Sequence, residues 1–322
     1  MVIPGQLVLA RETDRKKLHR AVAAGRVERI RSGAYLGRRE SSEDDTFEAA
    51  RQRARDLVLA VHRQLRADHV FGHTTAALLW GCTLWTTPAH THLWQRYRPS
   101  SRSAGDLRRH VGDVPSSQRS KVDGLPVTTL ARTVVDCALT LHPMEALVVA
   151  DSALRLSPAL DPVAAADVLA RVARRNGRRR AAWVLEHADA GADSAWESWL
   201  RYVCLRAGLP RPVTQAPVRT RRGLYHCDLG WPEHGVYAEF DGRVKYVDGA
   251  LGPGHDGATE LLREKDRAEA LLDAGVVPVR VRAADARPRP GEPGVLQRIA
   301  DRFPAEVLRS CRVDPLLPPP LT

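Results

Sequence analysis

The feature that most constrains this chain is a pair of short β-type runs with acidic residues at their ends. His226-Cys227-Asp228-Leu229 is followed by a Pro/Gly turn and then by Val236-Tyr237-Ala238-Glu239-Phe240-Asp241-Gly242. This pattern predicts a β-hairpin. Because side chains alternate across a strand, Glu239 and Asp241 share one face. Two neighbouring carboxylates repel each other, so the fold must offset their charge with water or with a cation.

A third carboxylate belongs to the same region, because Asp228 closes the first of the two strands. Three convergent carboxylates at strand ends form an oxygen-rich site of the kind that suits Mg²⁺. The alternative is a hairpin whose acidic end is simply solvated. The hairpin alone does not decide between these two interpretations.

The flanking segments add secondary structure in a definite order. The sequence pattern predicts a helix over residues 193–208 and a second helix over residues 260–272, which ends before Gly275. It also predicts a strand over residues 276–281. The order is therefore helix, strand, strand, helix, strand. With the acids on the middle strands, it resembles the PD-(D/E)xK nuclease fold. More narrowly, residues 193–285 resemble a bacterial domain family related to very-short-patch-repair endonucleases, which shares the stretches Glu239–Tyr246 and Glu264-Lys265-Asp266-Arg267.

The resemblance implies a restriction-endonuclease-like α/β/α domain that uses Mg²⁺ or Mn²⁺. Asp228, Glu239 and the carbonyl group of Phe240 would hold the metal. One departure matters, since Asp241 stands where the family pattern has a lysine. We therefore count Asp241 among the predicted catalytic residues and look for the lysine elsewhere.

Two lysines are candidates for the missing one. Lys245 is close in sequence but follows Gly242, where the strand leaves the sheet. Lys265 shares a helical stripe with Leu261, Ala268 and Leu272, and we expect that stripe to face the sheet. A lysine there needs an acidic partner, for which Glu239 and Asp241 are the candidates. The alternative is that Lys265 reaches past the stripe to solvent.

Glu197 has two explanations. Ser194-Ala195-Trp196-Glu197 is the Ser-x-x-Glu pattern of a capping box, which explains the glutamate structurally. The family resemblance also implies a helical glutamate near the metal at this point. Both roles stay open.

The composition bounds the class of protein. With 322 residues, the chain is long enough for two or three domains. It has no apolar run of membrane-spanning length and no secretory signal pattern. Five cysteines without a Cys-x-x-Cys pair predict free thiols in a reducing cytoplasm. The net charge of +11 suits a polyanion such as DNA, although the preference for arginine over lysine is also typical of a GC-rich genome.

The N-terminal 42 residues predict a small winged helix-turn-helix. Residues 13–24 form the predicted helix, and residues 27–36 form a two-stranded wing that turns at Ser32-Gly33. The spacing of Gly25, Arg29, Gly33 and Tyr35 is similar to that in the abortive-infection type IV antitoxin family. The alternative is a solvated basic face. The predicted phosphate contacts are Lys16, Lys17, Arg20, Arg29 and Arg31.

The middle of the chain predicts a mixed α/β domain over residues 43–158. It opens with a helix over residues 44–66 and contains β runs at residues 91–94 and 107–111. Gly124-Leu125-Pro126-Val127-Thr128 and Arg132-Thr133-Val134-Val135-Asp136 resemble the second domain of the same antitoxin family. Three histidines, at positions 73, 92 and 110, lie on separate elements without metal-ligand spacing. We therefore expect them to be core or surface residues.

The rest of the chain is predicted to form a helical linker over residues 159–192, the endonuclease-like domain over residues 193–290, and a C-terminal segment over residues 291–322. That last segment predicts one helix over residues 294–309 and a Pro-rich tail that frays. The favoured function is Mg²⁺-dependent hydrolysis of DNA phosphodiester bonds, in phage defence or DNA repair. The alternative is a DNA-binding regulator or antitoxin with an inert nuclease-like domain, which implies a toxin partner. The sequence does not give the oligomeric state.

Overall fold

A computed structural model describes residues 3–38, 46–98, 105–157, 160, 162–172, 176–241 and 257–322. The chain divides into two compact units, Met1–Cys137 and Ala138–Thr322. The described residues form a mixed α/β structure with three β-sheets, so the α/β class is confirmed. Among the helices in these ranges, none has the length and apolar character that a membrane crossing needs.

The first unit begins with a three-stranded antiparallel sheet. Strand β1 (Leu7–Leu9) precedes helix α1 (Arg15–Ala23), which is followed by β2 (Val27–Arg31) and β3 (Ala34–Gly37), and the strand order is β1-β3-β2. The carboxylate of Asp14 caps α1 by accepting a hydrogen bond from the backbone N–H of Lys17. The predicted turn at Ser32-Gly33 is confirmed, and Gly33 takes the left-handed conformation there with φ +72°.

A five-stranded sheet makes up the rest of the first unit. Its elements are α2 (Thr46–Gln64), β4 (Val70–Phe71), α3 (His73–Trp80), β5 (Thr91–Gln95), β6 (Leu107–Val111), β7 (Arg119–Val122), β8 (Leu125–Thr128) and α4 (Leu130–Thr140). The strand order is β6-β5-β4-β8-β7, with β5 parallel to β6 and β4 parallel to β8. Val61, Phe71, Leu93 and Val127 are fully buried in its core. The predicted helix over residues 44–66 and both predicted β runs are confirmed.

The second unit begins with a helical layer that is held by a buried ion pair. The helices are α5 (Pro143–Leu156), α6 (Pro162–Arg171), α7 (Arg178–His187) and α8 (Ala195–Arg206). Arg201 of α8 donates to both carboxylate oxygens of Asp151 on α5, at 2.8 and 2.9 Å, and to the carbonyl of His187 on α7. The Asp151 carboxylate also accepts hydrogen bonds from Ser198 Oγ and from the backbone N–H of Asp189. These bonds satisfy a charge that would otherwise be costly to bury.

A four-stranded sheet follows α8. Its elements are β9 (Val213–Thr220), β10 (Gly223–Trp231), β11 (Val236–Phe240), α9 (Gly257–Asp273) and β12 (Val279–Val281), and the strand order is β12-β11-β10-β9. The predicted hairpin is confirmed, since β10 and β11 are antiparallel with Leu229 opposite Ala238. Strand β11 pairs in parallel with β12. Strand β9 was not predicted. It contains Pro217 and lies at the sheet edge, where proline is tolerated.

Two predictions about the C-terminus are wrong. The single helix over residues 294–309 is divided into α10 (Val295–Ala300) and α11 (Ala305–Ser310), because Pro304 cannot continue a helix from its preceding turn. The Pro-rich tail is packed against α8 rather than frayed. Tyr202 and Trp199 donate side-chain hydrogen bonds to the carbonyls of Pro318 and Leu321, both at 2.8 Å.

Candidate functional site

Glu239 lies near the end of β11 and is held by two arginines. Its side chain is 4% exposed. Arg267 of α9 donates to Glu239 Oε1 and also to the carbonyl of His226, while Arg280 Nη2 of β12 lies 3.4 Å from Glu239 Oε2. The parallel register places Arg280 directly beside Glu239. Each carboxylate oxygen therefore has a guanidinium group within ion-pair distance, and among the described residues only Oε1 finds a hydrogen-bond partner.

The same arginines belong to a larger ion-pair network. Glu264, one turn before Arg267 on α9, lies 2.5 Å from Arg280 Nη1 and 3.5 Å from Arg267 Nη1. Asp241 pairs with Arg282 at 3.3 Å. The repulsion expected between Glu239 and Asp241 is thus offset by guanidinium groups from the fold itself. Burial lowers the pKa of Arg267, but Glu239 and Glu264 outweigh it and raise that pKa above its ordinary value.

Glu197 and Asp228 form a second acidic pair. Ser194 caps α8 by accepting a hydrogen bond from the backbone N–H of Glu197, which confirms one half of the predicted capping box. The other half is wrong, because the Glu197 carboxylate bonds to the backbone of Asp193 and not to that of Ser194. The Glu197 carboxylate accepts from the backbone N–H of Asp193 at 2.7 Å. Burial, followed by the nearby charge of Asp228, raises the pKa of Glu197 to about 7. Glu197 is therefore a buried acid that bonds to the backbone just before α8 and lies close enough to Asp228 to feel its charge.

The alternation along β11 separates the predicted acids. Phe240 stacks on Trp196 of α8, with ring centroids 5.1 Å apart, while its neighbour Glu239 contacts α9. Successive strand residues point to opposite faces, so α8 and α9 cover opposite faces at this point. Asp228 lies within β10, which continues to Trp231, so the prediction that it closes the strand is wrong. Its Oδ2 accepts a hydrogen bond from the backbone N–H of Phe240 at 2.6 Å. Within the described ranges, Glu197, Asp228 and Glu239 do not bring three ligand oxygens within 4.8 Å of one another.

The prediction that Lys265 lies on a buried stripe is wrong. Lys265, Ala268 and Leu272 are all exposed, with Leu272 at 62%. The inward face of α9 instead carries Arg267 and the fully buried Ala270 and Leu271. That face follows an equally regular helical spacing, so periodicity alone did not distinguish the two stripes. The other candidate, Lys245, lies outside the described residues.

The predicted DNA-binding residues differ in how far their side chains are exposed to solvent. Lys16, Lys17 and Arg20 on α1 and Arg29 on β2 are exposed. Arg31 is not, because its Nε lies 2.9 Å from the carboxylate of Asp106 and its side chain is only 10% exposed. The basic surface available to a polyanion is therefore α1 with the outer face of β2.

The three histidines on separate elements lie together in the structure. His73 begins α3, and His92 and His110 lie on the paired strands β5 and β6. His73 Nε2 is 3.2 Å from His110 Nδ1, and His92 Nδ1 is 3.0 Å from His110 Nε2. Sequence spacing did not indicate this proximity, because parallel strand pairing joins residues that are distant in sequence. Burial is the main cause that lowers the pKa of His92 to about 4.

Comparison with known proteins gives relatives but no activity. No protein-family model matches the chain. The proteins Rv2248 and MT2308, both named as uncharacterized and from two strains of Mycobacterium tuberculosis, are each 31% identical to it over 221 residues. These matches cover 67% of this chain and 75% of each relative.

Among solved structures, the RV2827C protein from Mycobacterium tuberculosis aligns with a TM-score of 0.38 and 12% identity, over 60% of this chain and 74% of that one. A similarity at that level establishes no common fold. The sequence matches do establish kinship, and the chain belongs to the family of the mycobacterial proteins Rv2248 and MT2308.

Proposed function

We propose that this protein is a DNA endonuclease that hydrolyses phosphodiester bonds with Mg²⁺ or Mn²⁺. The observation that carries the proposal is the buried carboxyl group of Glu197 close to Asp228: burial first, and then the negative charge of Asp228, raises the pKa of Glu197 to about 7. A divalent cation between two such carboxylates removes their repulsion. The same end of the sheet carries the guanidinium groups of Arg267 and Arg280 beside Glu239.

The topology of the second unit supports this proposal. Helix α8 is followed by three antiparallel strands, helix α9 and a strand parallel to β11. This is the order expected of a restriction-endonuclease-like domain, with β9 added to the order that the sequence predicted. A fold of this kind hosts active and inactive proteins alike, so activity must be argued from the side chains.

The donor set fits a hard cation in part. Glu197 and Asp228 provide carboxylate oxygens, the ligands that Mg²⁺ prefers. Glu239 is not needed as a third ligand in this arrangement, because Arg267 bonds to its Oε1 and Arg280 lies 3.4 Å from its Oε2, which makes no hydrogen bond within the described ranges. We therefore assign the cation to Glu197 and Asp228, and we assign Glu239 to the positioning of Arg267 and Arg280.

Each group then has a distinct task. A bound Mg²⁺ lowers the pKa of water and offsets charge on the scissile phosphate. Arg267 and Arg280 are paired with Glu239 and Glu264, so the proposal requires one of them to exchange a carboxylate for a phosphate oxygen, with which guanidinium groups form paired hydrogen bonds. They take the place of the lysine that the family pattern would supply. The N-terminal α1 and β2 present Lys16, Lys17, Arg20 and Arg29 to the DNA backbone, as a winged helix-turn-helix does.

Incubation of the full chain with supercoiled plasmid tests the proposal. We expect nicked or linear product with Mg²⁺ or Mn²⁺ and none with a chelator. Asp228→Asn should abolish cleavage, and Arg280→Met should slow it by about 10²–10³-fold, as expected for loss of a group that stabilises phosphate charge. Asp266→Asn, an exposed acid on α9, is the matched control and should cleave like the wild type. Equal cleavage by Asp228→Asn and the control would refute the site.

A second function is favoured by a specific observation. Glu239 is already neutralised by two arginines, and Lys265 is exposed, so the second unit has features of an inert scaffold. The protein would then be a DNA-binding regulator or an antitoxin with a toxin partner. It would bind plasmid in a salt-dependent manner and leave it intact with every divalent cation. Absence of both binding and cleavage would refute both functions.

A further inference from the structure

The histidine cluster of the first unit is built from three separate elements. One ring nitrogen from each of His73, His92 and His110 lies within 4.8 Å of the other two, and in the described part of the chain this is the one set of three such groups. His73 is buried, and the other two are half-buried. The cluster is therefore fixed by the fold on one side and accessible on the other.

A carboxylate supports the buried member. His73 Nδ1 lies 3.6 Å from Asp136 Oδ2. Asp136 is itself held by Arg132 Nε at 2.8 Å and by Trp94 Nε1 at 3.1 Å. A carboxylate behind one ring nitrogen of a histidine favours the tautomer whose other nitrogen carries the lone pair. In His73 that other nitrogen is Nε2, which faces His110.

The backbone is shaped around this arrangement. His73 has φ +52°, a conformation that residues with a side chain rarely adopt. The preceding Gly72 has no room for a side chain, since an added Cβ would lie 2.6 Å from Trp94 Nε1. Gly72 thus allows Trp94 to reach Asp136, and the strained residue after it directs its imidazole into the cluster. Strain of this kind is found where the surroundings fix a functional geometry.

We propose that His73, His92 and His110 form a binding site for a divalent transition-metal ion, with Zn²⁺ as the expected occupant. Imidazole nitrogens suit Zn²⁺, Co²⁺ and Ni²⁺ and not Mg²⁺ or Ca²⁺, which prefer oxygen ligands. Three protein ligands with an accessible side leave a fourth position for water or for a ligand. The site lies in the first unit and does not depend on the proposed nuclease activity.

The competing arrangement is a chain of hydrogen bonds. In it His92 would donate to His110 and His110 to His73, with His73 Nδ1 3.6 Å from Asp136, so neutral imidazoles can satisfy both contacts between the rings without a metal. The two arrangements predict different behaviour. A hydrogen-bonded chain binds no metal, whereas in the metal site each imidazole would turn the lone pair of one ring nitrogen to the ion and keep its proton on the other nitrogen.

Titration of the chelator-treated, dialysed full chain with Co²⁺ and Zn²⁺ decides between them. The titration is made in excess Mg²⁺, so that oxygen sites are filled. We expect one Co²⁺ per chain with the intense visible absorption of tetrahedral coordination, displaced by Zn²⁺. His92→Ala and His110→Ala should each lose that spectrum. Asp136→Asn should weaken binding by about 10–100-fold, as expected for a residue that orients a ligand.

His62→Ala is the matched control. His62 and His69 form another histidine pair in the same unit, with ring nitrogens 3.0 Å apart, and within the described ranges no third ligand joins them. This variant should bind like the wild type. Circular dichroism in chelator should show that the variants of His92 and His110 are folded. Absence of Co²⁺ binding by the wild type, or a spectrum that persists in His92→Ala and His110→Ala, would overturn the proposal.

Discussion

The histidine cluster and the Glu239 network differ in where their compensating charge comes from. In the second unit, Glu239 and Glu264 meet Arg267 and Arg280, so two carboxylates are matched by two guanidinium groups. In the first unit, Asp136 is matched by Arg132, and the ring nitrogens of the three histidines face one another. An acidic cluster is thus a poor indicator of a cation site when the fold supplies the cation. A cluster of neutral nitrogen donors, such as the three histidines, is a better indicator of a cation site.

The largest expected effect comes from breaking the Glu239 network. Arg267→Met leaves a nearly buried carboxylate with one guanidinium instead of two, so we expect a loss of about 3–5 kcal/mol in the free energy of unfolding. Urea denaturation measures it. Arg222→Met is the control, because Arg222 makes exposed ion pairs with Asp266 and Glu269 of the same helix and should lose less than about 1 kcal/mol. Equal losses in the two variants would show that the network contributes no more than surface pairs do.

The next effect concerns the charge of Glu197. Its pKa rises from the ordinary 4.5 to about 7 in the folded state, so the unfolded chain releases this proton first as the pH rises. The wild type should therefore lose stability between about pH 4.5 and pH 7, by roughly 3 kcal/mol from this group. Glu197→Gln should lack that part of the pH dependence. Denaturation in chelator at pH 5 and pH 8 provides the comparison, and identical slopes in both proteins would contradict the assignment.

The smallest effect concerns the basic N-terminal surface. If Lys16, Lys17 and Arg20 contact phosphates, their replacement by glutamine should reduce the slope of log K against log salt by about 0.9 per lost contact. Fluorescence anisotropy with a labelled duplex measures the slope. Arg31→Gln serves as the comparison, because Arg31 is engaged with Asp106 and should leave the slope unchanged. A slope that depends on Arg31 and not on the three residues of α1 would show that DNA binds near Arg31 and not at α1.

Local patterns predicted the elements of this fold well. The hairpin with Asp228 and Glu239, the cap at Ser194 and the turn at Gly33 all depend on residues near one another in sequence, and each is confirmed. Strand β9 was not predicted, and its Pro217 is compatible with a strand only at the sheet edge, a position that the sequence does not reveal. The break in the C-terminal helix has a local signal in Pro304, which cannot continue a helix from the preceding turn.

The partners of the site residues could not be predicted in the same way. Arg267 and Arg280 reach Glu239 through helix packing and parallel strand pairing, which join residues more than 25 positions apart. The sequence offered one weak signal, a spacing that places Arg267 on the same face of α9 as Leu271. The histidine cluster had no local signal, because His73, His92 and His110 meet only through the order of the five-stranded sheet.

Melting temperatures of three proteins with two metal ions test most directly whether the two regions bind cations through different ligands, carboxylate oxygens in one and imidazole nitrogens in the other. Thermal unfolding of wild type, Asp228→Asn and His92→Ala is followed with Mg²⁺, with Zn²⁺ and with chelator, because a cation that binds only the folded state raises its melting temperature. Mg²⁺ should stabilise wild type and His92→Ala but not Asp228→Asn. Zn²⁺ should stabilise wild type and Asp228→Asn but not His92→Ala. A shift with Mg²⁺ that survives Asp228→Asn, or a shift with Zn²⁺ that survives His92→Ala, would contradict this account.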